Sequence, residues 1–151
     1  MATPVLRTLP ATPTRRRERY AQQAVRSVVR VPGARRLLLS PVVARPGFWL
    51  ATGCGLVWGA ICGPATFHRS RRLIVASGMP RRAFGRGGTT IGAVYLTHDN
   101  HADTVLEHED VHREQWRRYG LAFIALYLAA GANPLSNRYE LEAGLTKGGY
   151  R

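Results

Sequence analysis

His108-Glu109-Asp110-Val111-His112 reads H-E-x-x-H, and the fold is read outward from these five residues. On an α-helix, positions four apart lie about 40° apart around the axis, so both imidazoles face one side and can grip a single metal ion. Glu109 follows the first His, near enough to touch a water on that ion but out of line with the ligands. Two His ligands, one general base and a third ligand from elsewhere form the arrangement of a zinc hydrolase.

The flanks agree with a helix. Thr104-x-x-Glu107 has the form of a capping box and predicts a helix start near Thr104. Leu106, Val111 and Trp116 share the core-facing side with the two His. Burying the His there beside Glu107, Glu109 and Asp110 without a cation would be costly, because charged groups need partners away from water. His98 and His101 lie before the helix, share no face with His108, and are not expected as ligands. Gly120 predicts a break, and residues 121–130 an apolar helix too short to span a bilayer. Gly131-Ala132-Asn133-Pro134 ends it, and Asn137 is placed to cap a last short helix over 138–144. That helix offers Glu140 and Glu142, roughly 200° apart around the axis, so they cannot both point at one ion. Asn137-x-x-Glu140 also has the form of a capping box, which would occupy Glu140 at the helix start.

Upstream, residues 71–76 and 89–97 read as strands, with Ile91, Val94, Tyr95 and Leu96 as β-formers. The glycine-rich link over 85–88 predicts the turn of a hairpin between them. It lacks the Lys-Ser/Thr of a phosphate-binding loop and opens no helix. Before these strands, residues 46–67 run for 22 positions without a charge. Gly55, Gly59 and Gly63 recur in it every four residues. The segment is either a membrane span with a smooth helix-packing stripe or a buried glycine-rich part of the core. Cys54 and Cys62 inside it form no C-x-x-C pair, which removes iron–sulfur and Cys-rich zinc chemistry and predicts two buried, reduced thiols.

Charge divides the chain. The net charge is +13, and of 22 basic residues only Lys147 is a lysine. Residues 1–98 carry sixteen Arg and one acid, Glu18, whereas residues 99–151 carry eight acids and six basic residues. The acids thus gather around the H-E-x-x-H segment. The basic half suits an anionic membrane surface; zinc-finger spacing, an RNA-binding signature and regular aromatic interleaving are all missing, so no specific nucleic acid is expected. Residues 1–19 are rich in Pro, Thr and Arg and read as disordered, and residues 20–30 as a short basic amphipathic helix. The chain therefore divides into a basic, largely disordered region (1–45), an apolar segment (46–67) and a metal-binding domain (68–151). The expected class is α+β: an HExxH helix with a preceding β-hairpin and further helices, and a location at a membrane or in the cytoplasm.

With T-I-G-A-V-Y-L-T from Thr90, V-L-E-H-E-D-V-H-R-E-Q-W-R-R-Y-G from Val105 and N-R-Y-E-L-E-A from Asn137, about a third of the chain resembles the minimal zincin-like metallopeptidase domains of bacteria. In these a strand precedes an H-E-x-x-H-x-x-Q helix, and an E-x-x-A segment on a later helix carries a Glu ligand. The resemblance implies Zn2+ held by His108, His112 and Glu140, with Glu109 as catalytic base and Gln115 at the family's Gln. The chain differs from the usual pattern at Asp110, Arg113, Glu114 and Gly144. The activity implied is hydrolysis of a peptide or protein substrate, with Tyr95, Tyr139 or His101 near enough in sequence to stabilise an oxyanion. The substrate would be received on the strand over 89–97 by β-addition. The alternative is a metal-bound scaffold, or a membrane-associated binding protein, without turnover.

Overall fold

The computed structural model describes residues 15–84 and 87–150. Three helices come first: α1 (Arg16–Arg30), α2 (Ala34–Leu38) and α3 (Pro41–Cys62). Four strands follow, β1 (Ala65–His68), β2 (Leu73–Ala76), β3 (Gly88–Ile91) and β4 (Val94–Thr97), and then α4 (Asp103–Tyr119), α5 (Ala122–Ala129) and α6 (Arg138–Ala143). The fold is α+β, with one mixed sheet in the order β1-β2-β4-β3.

The sheet corrects the expected hairpin. β2 and β4 run parallel, Val75 opposite Tyr95, so the link over 85–88 does not join two antiparallel neighbours. The stretch 89–97 is itself a hairpin, folded between Ile91 and Val94. Its turn needs Gly92, whose φ is +62°, and a Cβ there would collide with Thr52. The second hairpin joins β1 to β2, with Thr66 opposite Val75. Short β-former runs look alike in sequence, and only the left-handed residue between them marks the bend.

The uncharged segment is also not one element. Its helix starts earlier, at Pro41, ends at Cys62, and gives way after Gly63-Pro64 to β1. Among the described residues no helix is long and apolar enough to cross a membrane. The glycine stripe instead lets α3 lie close on the protein. A Cβ on Gly55 would stand 3.1 Å from the Ile91 carbonyl, and one on Gly59 2.6 Å from the Ala76 Cβ. Thr52 Oγ1 accepts from the Ala93 N–H at 3.0 Å, tying the β3–β4 turn to the helix. Cys54 and Cys62 are free thiols: Cys54 is exposed because its position falls away from that packed face, and Cys62 is half-buried against the cluster of Ala76, Met79 and Leu96.

Much of the basic region is helical. Residues 16–30 form α1, one turn longer than expected, since Glu18 accepts from the Arg15 N–H at 3.1 Å and closes the helix start. The other carboxylate oxygen of this buried Glu accepts from the Ala132 N–H at 3.0 Å, fastening α1 beside α5. Residues 1–14, part of the expected disordered region, lie outside the described residues.

The core gathers Ala21 and Val25 of α1, Phe48 and Ala51 of α3, Trp116 of α4, and Phe123 and Leu126 of α5. Gly120, at φ +54°, turns the chain between α4 and α5, and any Cβ there would stand 2.6 Å from the Ala44 carbonyl. α4 begins at Asp103 after Ala102, with no side-chain cap, so the Thr104 capping box does not form. Glu107 instead pairs with Lys147 at 2.7 Å and Arg71 at 3.2 Å, which together draw its carboxyl below the ordinary range.

Candidate metal centre

α4 carries His108 and His112 one turn apart on its buried side, with ring centroids 4.7 Å apart and the rings nearly perpendicular. α6 carries Glu140 to them. Its placement depends on buried Asn137, whose Oδ1 accepts from the Tyr139 N–H at 3.0 Å and whose amide donates to the Gly131 carbonyl at 2.8 Å. The cap is therefore made two residues on, by Asn137 alone. Glu140 turns inward and is 3 % exposed.

Three atoms converge. His108 Nε2 and His112 Nε2 are 3.1 Å apart, and Glu140 Oε2 lies 3.2 Å from the first and 3.6 Å from the second. The outer nitrogens decide what these atoms are. His108 Nδ1 faces the Gly144 carbonyl at 3.1 Å, and His112 Nδ1 faces Gln115 Oε1 at 2.8 Å. Both partners only accept, so both Nδ1 atoms donate and the neutral rings turn lone pairs inward at Nε2. The orientation of the Gln115 amide is fixed because its nitrogen donates to the Tyr139 carbonyl at 3.1 Å and to Glu142 Oε2 at 3.0 Å. Two nitrogen lone pairs and a carboxylate oxygen thus face one another in the interior. Glu140 Oε2 makes no hydrogen bond and is the only buried side-chain N or O atom in that condition among the described residues. This buried His-His-Glu group could hold a metal ion.

The electrostatics describe the same strain. When a proton rather than a metal enters the cluster, the rings donate to Glu140; burial works to raise it, but His108, His112 and the Tyr127 hydroxyl then outweigh burial and hold its carboxyl far below the ordinary carboxylate range. His112 is disfavoured as a cation by burial, yet Glu140, Glu109 and Gln115 together raise its affinity for a proton. The pocket attracts positive charge, proton or metal.

Glu109 sits beside the cluster, 8 % exposed, with Oε2 accepting from the Thr90 hydroxyl at 2.7 Å. Burial raises its pKa against the opposing pull of His112, Thr90 and His108. Thr90 belongs to β3, the edge strand, and its carbonyl accepts from the Trp116 indole at 2.8 Å, locking strand to helix. A cleft of about 640 Å³ opens over these groups, walled by β3, by Tyr127, and by Tyr150 and Gly148 of the C-terminal segment. Arg15 and Arg17 bring positive charge to its wall.

Not every residue singled out in the sequence belongs here. Glu142 stays at the surface, 3.5 Å from Arg118 and bonded to Gln115. His98 is engaged with the Met79 carbonyl at 2.7 Å, and His101 is exposed. Tyr95 donates to the Asn100 carbonyl at 2.9 Å, while Tyr139 packs among Tyr119, Phe123 and Tyr127; Tyr95, Tyr139, His98 and His101 do not line the cleft. The cleft tyrosines are Tyr127, which donates to Glu140 Oε1, and Tyr150, whose ring meets His108 edge-on at 5.9 Å. Thr90, Tyr127, Gly148 and Tyr150 carry no spacing signal that would have marked them. Asp110, Arg113 and Glu114, at which the motif departs from the usual pattern, bond one another on the helix, Arg113 to Asp110 at 2.8 Å and to Glu114 at 2.7 Å, and do not line the cleft.

Comparison with protein-family models, curated proteins and solved structures finds no match to this chain.

Proposed function

We propose that the protein is a zinc-dependent peptide hydrolase, with His108, His112 and Glu140 holding the ion and Glu109 acting as general base. The observation that carries this reading is the size of the donor triangle. Ligands about 2.1 Å from a tetrahedral zinc stand about 3.4 Å from one another. The three edges here are 3.1, 3.2 and 3.6 Å. Two imidazoles and one carboxylate suit zinc better than calcium or magnesium, which favour oxygen. When bound, the ion would supply Lewis acidity toward a water and a carbonyl oxygen.

The remaining work belongs to the protein's own groups. Thr90 holds one oxygen of Glu109, and the other makes no hydrogen bond among the described residues. That oxygen can take a proton from the attacking water and return it to the departing amine nitrogen. Burial raises the proton affinity of Glu109, as that two-way role requires. An extended substrate can run beside β3. Ile91 and Val94 flank the two-residue turn, so alternate pairing leaves the backbone groups of Thr90 and Gly88 directed away from β4. Trp116 already occupies the Thr90 carbonyl, which shifts the open pairing positions toward Gly88.

The test compares Glu109→Gln with the unaltered chain. Elemental analysis should find one zinc per chain in both. A peptide library digested by the unaltered protein should be left intact by the variant. Zinc without turnover in either protein would support the metal-bound scaffold instead, and iron in place of zinc would move the site to redox chemistry.

A further inference from the structure

The outer face of α3 is inverted for a helix in water. Its buried positions are mostly small: Ala44, Gly47, Ala51, Thr52, Gly55 and Gly59, with Phe48 the one large exception. Its bulky apolar side chains point outward. Val42 and Ile61 are 80 % and 79 % exposed, Trp49 and Val57 66 % each, and Leu50 58 %. At 100° per residue they share an arc of about 120°, and Arg45 near its edge is the only charge on the helix. The arc runs for roughly 28 Å. Beside it Leu37 is also exposed, and an apolar groove of about 620 Å³ lies between α3, α1, α2 and α5, sharing Val42, Pro46 and Leu50 with the outer face.

Charge chooses among possible covers. Residues 19–98 contain twelve Arg and no acid. Arg35, Arg36 and Arg45 stand toward one end of α3. Arg81 and Arg82 stand toward the other, where Phe84 packs on Trp58 with centroids 5.5 Å apart. Of these five, Arg81 alone has an ion-pair partner among the described residues, Asp99 at 3.4 Å. A second copy on this face would bring like charges together, +13 against +13. An anionic bilayer supplies both an apolar interior and opposite charge at its surface, and Trp side chains favour that boundary.

We propose that this face seats the protein on an anionic lipid bilayer, with α3 lying in the interface parallel to the membrane plane and not crossing it. The apolar arc enters the acyl boundary and the arginines meet lipid phosphates. Phe84, which touches Trp58, also lines the metal-site cleft, so seat and cleft adjoin.

The experiment floats the full-length, metal-loaded protein with vesicles of phosphatidylglycerol and phosphatidylcholine, or of phosphatidylcholine alone, on a density gradient. It should rise with the anionic vesicles, and less so as salt is added. Leu50→Glu and Ile61→Glu should each reduce partitioning by roughly tenfold or more, with metal content unchanged. Brominated lipid should quench a tryptophan emission component that disappears in Trp49→Phe. Absence of flotation with anionic vesicles overturns the proposal. So does a sedimenting dimer that Leu50→Glu dissociates while vesicles stay unbound, which would assign the face to a second copy. Neither readout depends on hydrolysis.

Discussion

Gln115 is where metal affinity and fold stability can be separated. It is 1 % exposed; its oxygen accepts from His112 Nδ1, and its nitrogen donates to the Tyr139 carbonyl and to Glu142. Gln115→Leu keeps much of the volume and removes all three bonds. The His112 N–H and the Tyr139 carbonyl would each lose a buried partner, at about 1–3 kcal/mol apiece, so a stability loss of about 2–6 kcal/mol is expected. His112 would also lose the group that sets its tautomer and ring angle, a change worth about 10–100-fold in metal affinity. Gln115→Glu divides these effects: it retains an acceptor for His112 but puts a carboxylate against the Tyr139 carbonyl and Glu142. It should be destabilised like the Leu variant yet bind zinc at least as well as the unaltered chain. Urea unfolding of the metal-free proteins gives the first quantity, and competition against a fluorescent zinc chelator the second. Equal weakening of zinc binding in both variants would refute the reasoning, because Gln115 would then act through packing alone.

Glu140→Ala should weaken zinc binding far more than Glu142→Ala in the same competition assay, since the first removes a converging donor and the second a surface carboxylate. Gly148→Val should also lower zinc affinity, because even a Cβ at that position would lie 2.6 Å from His108 Cε1 and press on the ring; an unchanged affinity would show that the C-terminal segment yields instead. Tyr139 gives a pH signature: burial foremost, with Tyr119 and Glu142 and against Arg138, pushes its phenol up to about 12 from 10.0. A raised acid favours the folded state below the unfolded pKa, so that contribution, roughly 3 kcal/mol, should fade as pH climbs from 10 toward 12. Urea midpoints measured across that range should fall less steeply for Tyr139→Phe, and parallel curves would exclude the assignment.

The two His of the motif face one side because the helix repeat places positions four apart together, and no distant contact is needed for that. The same local physics made the break at Gly120 and the cap at Asn137 readable from the chain alone. Glu140 was different: its spacing left it equal to Glu142 as a ligand and to a capping role, and only the resemblance favoured it. Its burial beside His108 and His112 depends on Asn137 bonding back to the end of α5, a contact between elements that no periodicity encodes. Thr90 on Glu109, Tyr127 on Glu140 and the Gly144 carbonyl on His108 likewise arise where separate elements meet. The sheet shows the limit most clearly. β-Former runs predicted strands, but strand order is set by which edges meet in space, so a parallel β2–β4 pair was read as a hairpin. The uncharged stretch 46–67 announced burial or membrane and concealed which side was which. Its glycines face the protein because close packing against β2 and β4 leaves no room for a Cβ, and that packing sends Trp49, Leu50, Val57 and Ile61 outward. Local repeat and residue chemistry are carried by neighbours along the chain, whereas the third donor, the cleft and the apolar face are decided by contacts between residues far apart in it.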